Sequence, residues 1–375
     1  MAPRPLEPQL CVTSARPPQR ILVIALRRLG DVLLATALIR SLRRAWPHAH
    51  IEVLVEAGSQ AMLEGNPDVA QVHVQPRHRR QALALARRLW RRFDLAVSAH
   101  SGDRSHLWAL VASGWRVGVV PPPGLPGARW KRWSCQAWTE MHLGDLHTVE
   151  QYLRLADAMG IARCTEVVAP DAPAALERPE APYAVLHPTP QFAYKEWTVE
   201  GWRALAAHLV QRGLRVVLSQ GPGERDRQLV EAIRAGMAER ERARLDMQTG
   251  RGTLAELAAL LRGARLYVGA DTSVTHLAAA VGTPTIALFG PSPTVEWGPW
   301  PVGGSARGAA SPWQLKAPLQ HAGNVWLLQG EGDCVPCLKE GCDRHRGSRS
   351  RCLDEMPPRR VIVIADEILS RPAQA

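Results

Sequence analysis

The stretch Val268-Gly-Ala-Asp271-Thr272-Ser273-Val-Thr-His276-Leu-Ala-Ala-Ala-Val-Gly282-Thr-Pro284-Thr-Ile-Ala-Leu-Phe-Gly290-Pro291 decides the fold. It reads as strand, turn, helix, turn, strand, turn. Arg265 to Gly269 is short, apolar and β-rich, and it ends at a glycine. Asp271 and Thr272 are both residue types favoured as helix N-caps. Ser273 to Val281 is Ala-rich and suits a close-packed helix, which Gly282 and Pro284 then stop. Thr285 to Phe289 reads as a buried strand. A helix that starts at the carboxyl end of a parallel strand aims free N–H groups and a partial positive charge into the crevice. Open α/β sheets bind phosphorylated ligands there. The segment therefore sets an anion cradle beside a carboxylate.

The same alternation runs upstream. Arg20 to Leu26 is a strand, Arg27 to Asp31 a loop, Val32 to Trp46 a helix ended by Pro47, and Ile51 to Val55 the next strand. A βαβ unit within about 35 residues predicts a parallel sheet. Val72–Val74, Leu95–Ser98 and Arg116–Val120 are further strands, and residues 79–93 form a basic helix. The stretch from Val168 to Pro182 is rich in Ala, Pro and Glu and reads as a linker. The pattern then restarts, with strands at Tyr183–Leu186, Arg215–Ser219 and Leu245–Gln248. Helices are expected at Thr198–Arg212, Glu224–Ala235 and Leu254–Arg262. Two consecutive α/β domains follow: 1–19 as a disordered leader, 20–172 as the first domain, 173–182 as linker, 183–357 as the second domain, and 358–375 as a closing helix and tail.

The length of 375 residues suffices for two full cores. The net charge is +11, carried by 42 arginines and only four lysines, with 13 tryptophans against three phenylalanines. That bias suggests a GC-rich genome; the charge also suits an anionic partner, whether phosphorylated saccharide, membrane surface or nucleic acid. The first twenty residues are rich in Pro and Arg and lack the apolar core of a secretion signal. Thr272 to Val295 carries no Asp, Glu, Lys or Arg, but its Gly-Thr-Pro turn argues against a membrane span, because lipid does not satisfy a broken backbone. The expectation is a cytoplasmic protein.

Several constellations suit chemistry. Gly30-Asp31 follows the first strand, so Asp31 either caps the next helix or serves a ligand, with Gly30 leaving room. Arg27 and Arg28 just before it either bind anionic groups or are solvated. The loop His187-Pro-Thr189-Pro-Gln-Phe-Ala-Tyr-Lys195-Glu-Trp197 follows a strand and holds hydroxyl, amide and ammonium groups. A compact ammonium at Lys195, in a chain that otherwise uses Arg, suits a point contact to phosphate. Ser219-Gln-Gly221-Pro-Gly223-Glu224 is not a dinucleotide fingerprint, because Asp226 stands where the third glycine belongs; it is a capped turn or a nucleoside hold with Glu224 on ribose hydroxyls. His276 lies four residues beyond Thr272 and is either a packed histidine or a ligand contact. Trp130-Lys131-Arg132-Trp133, with Trp138, offers faces that stack on sugars. Cys334-x2-Cys337-x4-Cys342-x9-Cys352 reads as metal before disulfide in a cytoplasmic chain. Structural zinc is the expected metal, with His345 as a substitute for Cys352, against free or oxidation-prone thiols.

Three of these motifs occur in a telling order: Gly30-Asp31-Val-Leu-Leu-Ala-Thr36, the Lys195-Glu-Trp197 loop, and Asp271-Thr-Ser-Val-Thr-His276 through Gly290-Pro291. Together, over about residues 20–357, they resemble glycosyltransferase family nine, the bacterial lipopolysaccharide heptosyltransferases. The resemblance implies a B-type glycosyltransferase fold, in which two Rossmann-like domains face a cleft. The N-terminal domain would bind the acceptor and the C-terminal domain the nucleotide sugar. It implies inverting transfer of a heptose from ADP-heptose to a lipid A–core saccharide without a catalytic metal, at the inner face of the cytoplasmic membrane. By position, Asp31 matches the general base and Lys195 the donor-phosphate contact. Asp271 matches the holder of donor sugar hydroxyls, and Thr272 and Ser273 the diphosphate cradle. Thr189, Glu224 and His276 join the donor side, and Arg27 and Arg28 the acceptor side. The cysteine cluster departs from the best-known members. Two alternatives stand beside this reading: another nucleotide-sugar transferase or epimerase on the same fold, and a basic zinc-containing nucleic-acid-binding protein. The latter lacks interleaved aromatics and a binding module and leaves Asp31 and Asp271 unexplained, so nucleic acid is not an expected partner.

Overall fold

Strand order carries most of what matters for the site, and around the central strands it is the same in both halves of the chain. The structure, a computed structural model, describes residues 17–142, 144–171, 179–248, 250, 252–305 and 309–371. The expected leader falls outside these up to residue 16, the expected linker up to residue 178, and the tail from 372 onward. The chain divides into two compact units between Pro170 and Asp171.

The first unit runs β1 (Arg20–Ala25), α1 (Leu29–Ala45), β2 (His50–Val55), β3 (Gln71–Val74), α2 (Arg79–Leu89), β4 (Leu95–Ser98) and α3 (Asp103–Ala112). It continues with β5 (Arg116–Val120), α4 (Ala128–Ser134), β6 (Ala137–Glu140) and α5 (Thr148–Ala158). Its six strands lie in the order β3-β2-β1-β4-β5-β6, all parallel. β1 is a nearly continuous apolar run, and β2 is one apart from His50 and the buried Glu52, because helices cover both faces of the sheet. Leu22, Ile24 and Leu54 meet Leu85 and Leu89 of α2 and Trp108 and Ala112 of α3 in one core. Helix α1 starts three residues earlier than its sequence suggests. Arg28 is its N-cap residue and makes no side-chain capping bond, and Asp31 lies in the first turn. The capping alternative for Asp31 is thereby corrected.

The second unit runs β7 (Tyr183–His187), α6 (Val199–Gln211), β8 (Arg215–Ser219), α7 (Glu224–Ala235), α8 (Glu239–Arg242), β9 (Leu245–Gln248) and α9 (Leu254–Arg262). There follow β10 (Leu266–Ala270), α10 (Ser273–Ala280), β11 (Thr285–Phe289), α11 (Thr294–Trp297), β12 (Leu319–Ala322), β13 (Val325–Gln329), α12 (Arg351–Asp354) and α13 (Pro358–Ser370). The order is β12-β13-β11-β10-β7-β8-β9. Six strands are parallel, and only the edge strand β12 is antiparallel. Trp197, Trp202 and Leu205 pack with Val361, Ile364 and Ile368 of α13 over Leu186, Val216, Val268 and Ile286. The uncharged stretch 272–295 is α10, a turn and β11, and among the described residues no helix is long and apolar enough to cross a membrane.

Counted outward from β1 and from β7, both sheets follow the doubly wound pattern of the Rossmann fold. In each, successive connections diverge to opposite sides of one strand pair, β1/β4 and β7/β10. Ligands of open α/β sheets lie beyond the carboxyl ends of such a pair.

Candidate active site

The β7/β10 pair delivers the densest polar cluster of the second unit. Lys195 comes from the loop after β7, and Asp271 directly follows β10. Their side chains meet, with Nζ to Oδ2 at 2.5 Å. Asp271 is buried. Burial pushes its carboxyl up, but the Lys195 charge and hydrogen bond, a bond from Ser292 and the nearby His276 outweigh this and hold the carboxyl below the usual range. Thr272 is the N-cap of α10, and its Oγ1 accepts from the Thr275 N–H at 3.3 Å. That hydroxyl is committed to the helix, so the free donors at this end are backbone N–H groups beginning at Ser273, which is half-buried. Thr275 donates to the Ala270 carbonyl at 2.5 Å and meets the Tyr267 hydroxyl at 2.9 Å, which fixes the turn from beneath. His276 is buried within α10, close enough for its charge to act on Asp271.

The neighbouring strand β8 brings a second loop to this edge. The Gly221 N–H donates to Thr189 Oγ1 at 3.2 Å, so Thr189 ties the β7 loop to the β8 loop. His187, at the end of β7, meets Ser219 Oγ at 3.1 Å, and burial drags its pKa down to about 4, leaving a neutral ring at neutral pH. Glu224 stands apart from this cluster. Its carboxylate is exposed and paired with Arg227 and Gln228 on α7, so it is not gathered with Lys195 and Asp271. Asp226 organises the turn instead, accepting from the Gly223 N–H at 3.2 Å. A Cβ on Gly221 would stand 2.4 Å from an Asp226 oxygen, so this glycine makes room for an internal carboxylate.

In the first unit, the β1/β4 pair presents Asp31. The carboxylate is buried and receives the Arg27 Nε–H at 3.2 Å, while Arg27 and Arg28 remain exposed. His100, which sequence reasoning missed, follows β4. Its ring bonds Gly102 N–H and Ser105 Oγ, each at 2.9 Å. Burial first, then the Arg27 charge, lowers its pKa to about 4. A lone histidine beside a short strand carries no pattern in sequence; only the strand order puts it beside β1. The Trp cluster is partly spent. Lys131 is buried against Asp103 at 2.6 Å and lies 5.5 Å from the Trp130 ring, and Arg132 covers Trp138 at 4.8 Å. Trp133 stays 85% exposed.

Cys334, Cys337, Cys342 and Cys352 are the candidates for a structural metal. All four are free thiols, with Cys334 and Cys342 exposed. Four thiolates would suit zinc, but among the described residues no group of three or more His, Cys, Asp or Glu side chains is arranged to hold a metal. The long x9 spacing carries Cys352 into α12, where it packs near Gly290, and burial together with the nearby thiols of Cys337, Cys342 and Cys334 pushes its own thiol up.

The family model for glycosyltransferase family 9 (heptosyltransferase) matches residues 136–323, half of the chain. Lipopolysaccharide heptosyltransferase 1 of Pseudomonas aeruginosa is 28% identical over 398 aligned positions, covering 94% of this chain and 99% of that protein. Lipopolysaccharide heptosyltransferase 3 of Escherichia coli is 28% identical, covering 72% and 83%. Among solved structures, ADP-heptose lipopolysaccharide heptosyltransferase II of E. coli superposes with a TM-score of 0.69 at 21% identity, covering 93% of this chain and 98% of that one. An E. coli heptosyltransferase solved with ADP gives 0.67 at 18%, covering 93% and 99%. The fold class is that of the B-type glycosyltransferases, and the chain belongs to glycosyltransferase family 9 and is a glycosyltransferase.

Proposed function

We propose that the protein transfers a heptose from ADP-heptose to a lipid A–core saccharide with inversion, using residues 183–357 for the donor and 20–172 for the acceptor. The observation that carries this reading is the Lys195–Asp271 pair at the β7/β10 switch point, beside the N-terminus of α10. A cation, a carboxylate and free backbone N–H groups are the parts a nucleotide sugar needs: the first and third for diphosphate, the second for sugar hydroxyls. Relatives named as lipopolysaccharide heptosyltransferases support the sugar and the acceptor class. The solved relative with ADP supports the nucleotide.

In this reading the acceptor hydroxyl attacks the anomeric carbon in line with the departing ADP oxygen. The new C–O bond forms as the old one breaks, and the proton passes to Asp31 as general base. Arg27 holds the Asp31 carboxylate in place, and Arg27 and Arg28 take anionic groups of the acceptor. Charge growing on ADP is met by Lys195 and by the α10 N–H groups from Ser273 onward, without a divalent cation. Asp271 exchanges Lys195 for hydroxyls of the heptose. Thr189 and His276 set the walls, and Glu224, exposed at the start of α7, is the candidate for the ribose hydroxyls.

The acceptor lies at a membrane, and α2 suits that surface. Arg80, Leu83, Arg87 and Trp90 follow helical spacing and are all exposed, Leu83 at 54% and Trp90 at 64%. An Arg-rich face with apolar side chains is the composition of interfacial helices. The test of function is product analysis with ADP-heptose and a lipid A–core acceptor, with EDTA present, for the wild type and Asp31→Asn. Turnover is expected to survive EDTA and to fall about 10²–10⁴-fold in the variant with ADP binding unchanged. Near-normal turnover in Asp31→Asn removes Asp31 as base, and absence of heptosyl product removes the donor assignment.

A further inference from the structure

The cysteine-bearing stretch from Glu331 to Ser350 contains no strand or helix, yet its contacts converge on the loops that hold Lys195 and Asp271. Both neighbours of Lys195 are gripped. The Tyr194 carbonyl accepts the Ser350 hydroxyl at 2.7 Å, and the buried Glu196 carboxylate accepts Arg349 Nη1 at 3.0 Å. Arg346 lies 5.4 Å over the Phe192 ring, which stacks on Tyr194 at 5.4 Å. The other loop is held as well. The Leu338 N–H donates to the Pro291 carbonyl at 3.0 Å, next to Ser292, which bonds Asp271.

Arg349 is itself mounted firmly. Its carbonyl accepts both the Cys342 N–H and the Ser348 hydroxyl at 3.0 Å, and its guanidinium reaches Asp354 as well as Glu196. Cys342 Sγ in turn accepts the Arg351 N–H at 3.4 Å. A stretch whose backbone is tied this closely around one arginine has little other core, Val335 apart. Glu196, one residue from Lys195, is the anchor that this arginine takes.

We infer that the segment Glu331–Ser350 is a clasp on the donor site, and that Arg349, through Glu196, is the positioning residue that holds Lys195 in register with Asp271. Nothing in this role requires Arg349 to touch substrate. It fixes the backbone on the far side of Lys195, so that the ammonium reaches the diphosphate without first ordering its own loop. Arg225 shares Glu196, so loss of Arg349 loosens the loop without leaving the buried carboxylate bare.

The inference rests on the assignment of Lys195 to the ADP diphosphate, so ADP affinity by calorimetry is compared across wild type, Lys195→Ala, Arg349→Ala and Arg349→Lys, each with a melting curve. A small misplacement of a binding group costs up to about 10²-fold. Arg349→Ala is therefore expected to weaken ADP about tenfold or more and to raise the donor KM more than it lowers kcat. Arg349→Lys, which keeps the charge but not the fork, is expected to recover part of the loss. If Lys195→Ala binds ADP like the wild type, the assignment of the donor site fails. If Lys195→Ala weakens ADP and a folded Arg349→Ala does not, the clasp fails while the donor site stands. Should Arg349→Ala not fold, a folded Arg349→Lys with wild-type ADP affinity and donor KM overturns the clasp, and an intermediate loss supports it.

Discussion

Removing Lys195 has a consequence for stability as well as for binding, and the sign of its pH dependence is fixed by the site. Asp271 is buried and Lys195 is only one-fifth exposed. Truncating one partner of a buried pair typically costs 3–5 kcal/mol, because the other charge is left uncompensated. The partial exposure of Lys195 reduces this to about 2–3 kcal/mol. In a unit of this size that is a fall of about 4–12 °C in Tm. Asp271→Asn added to Lys195→Ala removes the stranded charge, so the double variant is expected to melt above Lys195→Ala, a coupling that a double-mutant cycle measures. In the wild type the Asp271 pKa is depressed. Its contribution is present above the unfolded value of about 3.9 and is lost as pH falls through the folded value. In Lys195→Ala burial acts without its main opponent, so the pKa rises above the unfolded one. The deficit is then smallest near pH 4 and grows toward neutrality. Melting by circular dichroism from pH 4 to 8 across the cycle is the assay. A deficit independent of pH, or a double variant no better than Lys195→Ala, would refute the reasoning.

The other expectations concern packing, protonation and the surface. His187 is buried and neutral, with a pKa near 4 against 6.5; stability is fully present above pH 6.5 and is lost as pH falls toward 4, by roughly 3 kcal/mol. His187→Asn should flatten the slope of Tm against pH in that window, and an unaltered slope would count against the assignment. Gly290→Ala puts a Cβ 2.8 Å from Leu353 Cγ and 3.2 Å from Cys352 Sγ. Overpacking of this kind costs about 1–3 kcal/mol, visible in urea unfolding; wild-type stability would show that α12 gives way freely. Arg80→Glu with Arg87→Glu and Trp90→Ala should abolish co-sedimentation with vesicles containing anionic lipid while leaving the melting temperature within a few degrees, and retained binding would move the membrane contact off α2.

Much of the architecture was legible because parallel strands covered on both faces are continuous apolar runs, and because Gly and Pro mark their ends. β10, α10 and β11 lie within a residue or two of their expected bounds. The start of α1 was misread since Arg28, Leu29 and Gly30 carry no cap signal; α1 begins on a backbone that no side chain caps. β6 and the β12–β13 hairpin were missed because Trp138, Glu140 and Gln320 break the apolar alternation that marks a strand. Lys195 and Asp271 were each singled out from local chemistry, but their contact depends on β7 and β10 being neighbours, which no short stretch of sequence encodes. Glu224 stands apart from that pair for a local reason. Two carboxylates two residues apart on a helix point in different directions, and Asp226, not Glu224, folds back onto the turn.

The cysteine-bearing tail is ordered by more than its cysteines. Four cysteines in 19 residues invite a metal, since metal is the usual way to order a stretch without secondary structure. Here other side chains order it as well. Ser348 and Ser350 are buried and bond backbone carbonyls, and Arg349 between them has Glu196 and Asp354 to face. A Ser-Arg-Ser triplet has no signature of its own, because its value lies in a carboxylate some 150 residues earlier. The same holds for both switch points. The two sheets share their strand order around the switch point, yet one edge carries Asp31 beside an exposed arginine and the other a closed Lys195–Asp271 pair. Identical topology sets where charge collects, and a handful of side chains decides its sign. The Asp31 carboxylate has one partly exposed guanidinium beside it and keeps its other oxygen for a substrate hydroxyl in the proposed role. A carboxylate already locked to a lysine must be released before it can hold anything else, and an incoming diphosphate, which competes for that same lysine, is the kind of ligand that releases it.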